Sequence, residues 1–90
     1  MLKIEYHNKF KKDYKQIIKR GYNVKDFETV VTLLANEKQL PEKYRDHELK
    51  GNYVGFRECH IAPDWLLIYR IDKNILTLTL VRTGTNSDLF

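Results

Sequence analysis

Apolar residues alternate with polar ones at the start of the chain and then return at helical spacing, which predicts one strand followed by two helices. Over residues 2 to 7, Leu2, Ile4 and Tyr6 fall on one side and Lys3, Glu5 and His7 on the other, the period of a half-buried strand. From residue 8 to 20, Phe10, Tyr14, Ile17 and Ile18 recur every three or four positions, so a helix turns them inward and its lysines outward. Gly21 supplies the stop. A second helix begins at Asn23, whose side chain can cap the free amides of the first turn. Asp26 puts negative charge at the favourable end of its dipole. Phe27, Val30, Val31 and Leu34 form its buried stripe, and the short connection packs the two helices as a hairpin. Pro41 marks the end of this region, and residues 39 to 51 read as an irregular segment of mixed charge.

The remainder is strand-like, over residues 52 to 62, 65 to 71 and 75 to 83, with turn signals at Pro63-Asp64 and Asp72-Lys73-Asn74. Connections this short favour antiparallel neighbours. One strand, a helical hairpin and an antiparallel three-strand meander predict an α+β fold with the helices over one face of a single mixed or antiparallel sheet. With 90 residues and 42% hydrophobic content, the chain suits a single domain over residues 1 to 90. A chain of this size buries somewhat more than about 60% of the surface it exposes when unfolded.

Charge adds a partner class without settling it. Sixteen basic against twelve acidic residues give a net charge of +4, and Lys9, Lys11, Lys12, Lys15, Lys19 and Arg20 crowd the first helix. That points toward a polyanion such as nucleic acid, or equally to a solvated helix face. A lone cysteine, Cys59, forms no internal disulfide and fits a reducing compartment. No signal-peptide run and no stretch near the ~20 apolar residues of a membrane span are present, so a cytoplasmic protein is expected.

Chemistry-bearing side chains concentrate in the second half. His47, His60, Asp64, Arg82 and Phe90 punctuate the strands; imidazoles, a carboxylate and a guanidinium are the usual equipment for moving protons beside a phosphate. Alternation over residues 53 to 62 sets Phe56, Glu58 and His60 on one face and Arg57, Cys59 and Ile61 on the other. Cys59 and His60 therefore point apart, no zinc cluster of ordinary spacing exists, and neither a metal nor a cofactor is expected. Trp65, after Pro63-Asp64, is either a core anchor or a stacking surface for a base. Strict alternation puts Arg82 on the side of Leu76, Leu78 and Leu80, where it either reaches water or offers its planar fork to a phosphate. His7 reads as a surface residue, Gly51 and Gly55 bracket a stretch unlike any phosphate-cradling loop, and nothing marks a nucleophile for acyl transfer.

Three segments together resemble the YafQ branch of the RelE toxin superfamily: residues 40 to 51 (LPEKYRDHELKG), residues 57 to 69 (RECHIAPDWLLIY), and residues 82 to 85 (RTGT) with the ending Leu89-Phe90. The order of elements matches over essentially the whole chain. The resemblance implies a RelE-like fold and an mRNA interferase that enters the ribosomal A site, cleaves the message there, and is neutralised by a cognate antitoxin. Carried over by position, His47 and His60 match imidazoles that move protons or place the attacking 2′-hydroxyl. Asp64 matches a carboxylate of the same site, Arg82 the guanidinium that steadies the scissile phosphate, and Phe90 a terminal aromatic shaping the pocket. Trp65 matches a position near the site.

The chain departs from the family at Asn86, where the motif usually carries histidine as general acid for the leaving 5′-oxygen. An amide donates a hydrogen bond but gives up no proton at useful pH. If that histidine protonates the leaving group, its loss costs on the order of a hundredfold to ten-thousandfold in rate. Cleavage through the RNA's own 2′-hydroxyl needs a base, an acid and positive charge, with no obligatory metal. His60 or His47 serves as base and Arg82 as clamp, while Lys50 and the helix lysines Lys11, Lys12 and Lys15 contact the RNA backbone. The alternatives are a catalytically silent module that binds ribosome or antitoxin, and a gyrase-targeting relative.

Overall fold

A computed structural model describes residues 1–90, and in it the alternating start of the chain forms strand β1 (Lys3–Tyr6). The imidazole of His7 then caps helix α1 (Asn8–Lys19) by accepting the Lys9 N–H. Asn23 caps α2 (Val24–Ala35) as its position predicts, accepting the Lys25 N–H at 2.9 Å. The two helices meet through aromatic rings, with Tyr14 and Phe10 4.8 and 5.9 Å from Phe27 between ring centroids.

The segment read as irregular contains a further strand. β2 (His47–Glu48) follows a 3-10 turn at Glu42–Tyr44, and a second 3-10 turn, Gly51–Tyr53, occupies the start of the stretch expected as strand 52 to 62. Strand β3 runs only over Arg57–Ala62, β4 over Trp65–Asp72 and β5 over Thr77–Gly84. A final turn of helix, α3 (Asn86–Leu89), closes the chain, an element too short for periodicity to reveal. The sheet order is β1-β5-β4-β3-β2. β2 to β5 are antiparallel neighbours, whereas β1 joins the outer edge of β5 in parallel, Lys3 opposite Thr77 and Tyr6 opposite Leu80, so the sheet is mixed.

Alternation along β3 to β5 divides the apolar residues between two faces. Cys59, Ile61, Trp65, Leu67, Tyr69, Leu78 and Leu80 face α1 and α2 and form the main core with Phe10, Ile17, Phe27, Val30 and Leu34. Leu66 and Ile68 face the other way, and Leu89 of α3 covers them together with Leu49, Tyr53, Phe56 and Val81. The helices thus seal one face, leaving the second only partly roofed.

Candidate active site

Cross-strand register brings three of the candidate residues, His47, His60 and Arg82, onto that second face. His47 lies opposite Glu58, Glu58 opposite Ile68, and Ile68 opposite Arg82, so the four form one row across β2, β3, β4 and β5. His60, opposite Leu66, stands in a neighbouring row with Gly84 at its far end. With strands about 4.8 Å apart, the His47 and Arg82 backbones are separated by roughly 14 Å, a span that side chains reaching inward can narrow.

His47 is fixed from both sides of its two-residue strand. Its Nδ1 lies 2.7 Å from the Arg45 carbonyl, which can only accept, so Nδ1 carries the proton and Nε2 is turned to the face. Arg45 adopts a left-handed backbone, φ 48°, that aims this carbonyl at the ring. Asp46 points to the helical side, where Arg57 Nη2 donates to it at 2.9 Å and the Tyr69 hydroxyl donates as well. Burial first, then the Asp46 bond, pushes the Tyr69 phenol far up. On the open face, His47 Nε2 lies 3.4 Å from Oε1 of Glu58. Glu58 is buried, and its Oε2 has no hydrogen-bond partner within the chain. A buried carboxylate left half-satisfied costs stability, a cost found at sites kept for function. Glu58 was legible only as a face-mate of His60; its burial is a tertiary outcome that local pattern does not reveal.

Half-buried His60 borders a hollow of about 530 Å³, lined also by Lys43, Tyr44, Arg45, Asp26 and Pro63. Cys59 points to the helical side as alternation requires; burial drives its thiol pKa far up, and it is no nucleophile.

Arg82 departs from the sequence expectation. The register passes from Tyr69–Leu80 to Ile68–Arg82, leaving Val81 as an extra residue, so this bulge moves Arg82 off the side of Leu78 and Leu80 and onto the face of Ile68. Leu76, taken as the first member of that apolar row, precedes β5 and is exposed. Asp13 of α1 then grips the guanidinium: Arg82 Nε donates to Oδ2 at 2.6 Å and Nη2 to Oδ1 at 3.2 Å, while the Thr83 N–H donates to Oδ2 at 3.2 Å. β1 pairs with β5 only as far as Leu80, so Asp13 satisfies the edge amide that no strand reaches. These bonds raise the Arg82 pKa further, and the fixed charge leaves Nη1 outside the Asp13 bonds.

Asn86 opens α3 and Phe90 ends it one turn later, the Phe90 N–H donating to the Asn86 carbonyl. Phe90 is exposed over the second face, its ring edge-on to Tyr53 at 5.9 Å. Asp64 does not join a histidine: the Tyr22 hydroxyl of the α1–α2 turn donates to it at 2.7 Å, drawing it toward the helical side. Trp65 cannot stack on RNA. It is fully buried among Tyr22 and Phe27, and its Nε1–H donates to Thr83 Oγ1 at 2.7 Å, so the core-anchor reading is the correct one. Lys11 and Lys15 line a groove with Tyr14 and Phe27 on the helical side, away from the face of the histidines, and Lys12 is exposed on the same helix. Lys50, exposed, immediately precedes the turn that carries Tyr53.

Known proteins share this arrangement of sequence and fold. Residues 2–90 match the family described as a bacterial toxin of type II toxin-antitoxin systems, YafQ. The mRNA interferase toxin YafQ of Escherichia coli strain K12 is 40% identical over 88 residues, covering 97% of this chain and 94% of that protein. A metal-bound toxin from Helicobacter pylori superposes with a TM-score of 0.94 at 51% identity, with all of both chains covered. YafQ in the E. coli DinJ-YafQ complex superposes with a TM-score of 0.90 at 38% identity, covering 100% of this chain and 99% of that one. In the present chain no three His, Cys, Asp or Glu side chains come together as a metal site; His47 and Glu58 meet without a third ligand. Motifs, mixed sheet and superposition agree, and the chain belongs to the YafQ family of type II toxin-antitoxin toxins.

Proposed function

We propose that this protein is an endoribonuclease that enters the ribosomal A site, cuts the message through the RNA's own 2′-hydroxyl, and is silenced by a cognate antitoxin. The observation that carries the reading is the row from His47 through Glu58 and Ile68 to Arg82, with His60 beside it and α3 overhead. His47 is the base: its Nδ1–H is committed to Arg45, so Nε2 takes the 2′-hydroxyl proton, and Glu58 Oε1 stabilises the imidazolium that results. His60 orients the ribose, and Arg82 holds the phosphate as its charge grows. Phe90 gives the flanking base a ring to stack on. Asp64 acts at a distance, by holding the β3–β4 turn against Tyr22. Antitoxin control comes from the DinJ-YafQ likeness, and the ribosome supplies the remaining positioning of the message.

Asn86 favours a second reading, in which the protein occupies the ribosome without cutting. Translating ribosomes decide between them. Wild-type protein is expected to generate new 5′ ends within codons, and Arg82→Ala to slow cutting by about a hundredfold or more while the circular dichroism spectrum is kept. Co-sedimentation with ribosomes and no new ends would establish the silent module instead.

A further inference from the structure

The general-acid position of the proposed reaction is the one this chain leaves empty at Asn86. A proton donor nevertheless stands against the ring of Phe90, one helical turn after Asn86. Tyr53 ends a 3-10 turn framed by Gly51 and Gly55, whose φ angles of 66° and 94° let the chain reverse and fold the ring back over the second face. There it packs against Leu66, Ile68 and Leu89, half-buried, and meets the rings of Phe56 at 6.3 Å and Phe90 at 5.9 Å. Phe90 and Asn86 are four residues apart and joined by a backbone hydrogen bond, so Tyr53 borders the same side of α3 from which the Asn86 side chain departs. Tyr53 also acts on Arg82: after Asp13, which dominates, it is among the groups favouring the charged guanidinium.

We propose that Tyr53 is the general acid of this enzyme, in the role that the family resemblance assigns to a histidine at the position of Asn86. The proposal rests on the nuclease reading above. His47 removes the 2′-hydroxyl proton, the 2′-oxygen bonds to phosphorus, and the bond from phosphorus to the 5′-oxygen breaks with its electron pair on that oxygen. The Tyr53 hydroxyl gives its proton to the departing oxygen, leaving a 2′,3′-cyclic phosphate and a free 5′-hydroxyl. The phenolate is reprotonated from water. A phenol hydroxyl can hand on its proton, which the Asn86 amide cannot.

Tyr53→Phe tests this without disturbing the fold, since the ring contacts with Phe56 and Phe90 remain. On message in the ribosomal A site, Tyr53→Phe is expected to lower the single-turnover cleavage rate on the order of a hundredfold. Adding Asn86→His to Tyr53→Phe restores most of that loss. A message with sulfur in place of the 5′-bridging oxygen at the scissile step needs no acid, because a thiolate leaves unaided, so Tyr53→Phe and wild type should cut it at equal rates. A slowdown of equal size on oxygen and sulfur messages would make Tyr53 a packing residue and overturn the proposal. So would an unchanged rate on oxygen. If wild type cuts neither message, and His47→Ala and Arg82→Ala match it, the nuclease reading itself falls; brisk cutting that depends on His47 and Arg82 but not on Tyr53 removes only the acid assignment.

Discussion

Asp13 serves Arg82 and the β5 edge with one carboxylate, which makes it the side chain whose loss should be felt at two places. Asp13→Ala leaves a part-buried guanidinium and the Thr83 N–H without their partner, and should cost about 1–3 kcal/mol in urea denaturation. Asp13→Asn, which keeps an oxygen for Thr83, should cost less. Residues of this kind were the least legible in the sequence. His47, His60 and Arg82 announce themselves by type, but an acid among helix lysines does not, and Tyr53 reads as one more aromatic. Trp65 was ambiguous because a buried indole and an exposed one look alike until the Thr83 hydroxyl is seen to hold its Nε1–H.

At the level of elements, α3 depends on electrostatics more than on its length. Thr85 and Asp88 form a reciprocal cap, the Asp88 N–H donating to Thr85 Oγ1 and the Thr85 N–H to Asp88 Oδ2. Arg20, at the end of α1, donates to both Asp88 oxygens at 2.6 and 3.2 Å, and this pairing holds the carboxyl well below the usual carboxylate range. A carboxyl depressed in the folded state stabilises it fully above the unfolded pKa of about 3.9, and the contribution fades as acid protonates the group. Lowering the pH from 5 to 2 should therefore release the Leu89 and Phe90 resonances from their folded positions in NMR spectra, and Asp88→Asn should be loosened already at neutral pH with a flatter response. Gly84, φ 155°, admits this closure: a Cβ there would come within 3.0 Å of the Asp88 side chain. The helices and the meander were readable from periodicity and turn residues. The Val81 bulge was not, because one inserted residue leaves composition untouched while reversing the side on which Arg82 emerges.

On the scale of the whole molecule, with a net charge of +4, basic side chains stand on both sides of the sheet. Lysines of α1 lie over the helical layer, whereas Lys50 neighbours the second face. Binding of an uncleavable 2′-O-methyl message should weaken linearly with the logarithm of salt, and Lys50→Gln should reduce the slope by about 0.7 per lost phosphate contact. Lys11→Gln and Lys15→Gln should leave that slope where it was, a contrast that fluorescence anisotropy can measure. The overall α+β architecture was evident from the order of patterns, but the parallel partner of the first strand was not, since pairing across most of the chain leaves no local mark. That pairing also orders events during synthesis. Residues 3 to 6 leave the exit tunnel early and find no strand to join until residues 77 to 80 have been translated, so a nascent chain remains open along the edge where Asp13 must reach Arg82. The clamp therefore closes only once β5 is available, long after the helix that carries Asp13 has been made.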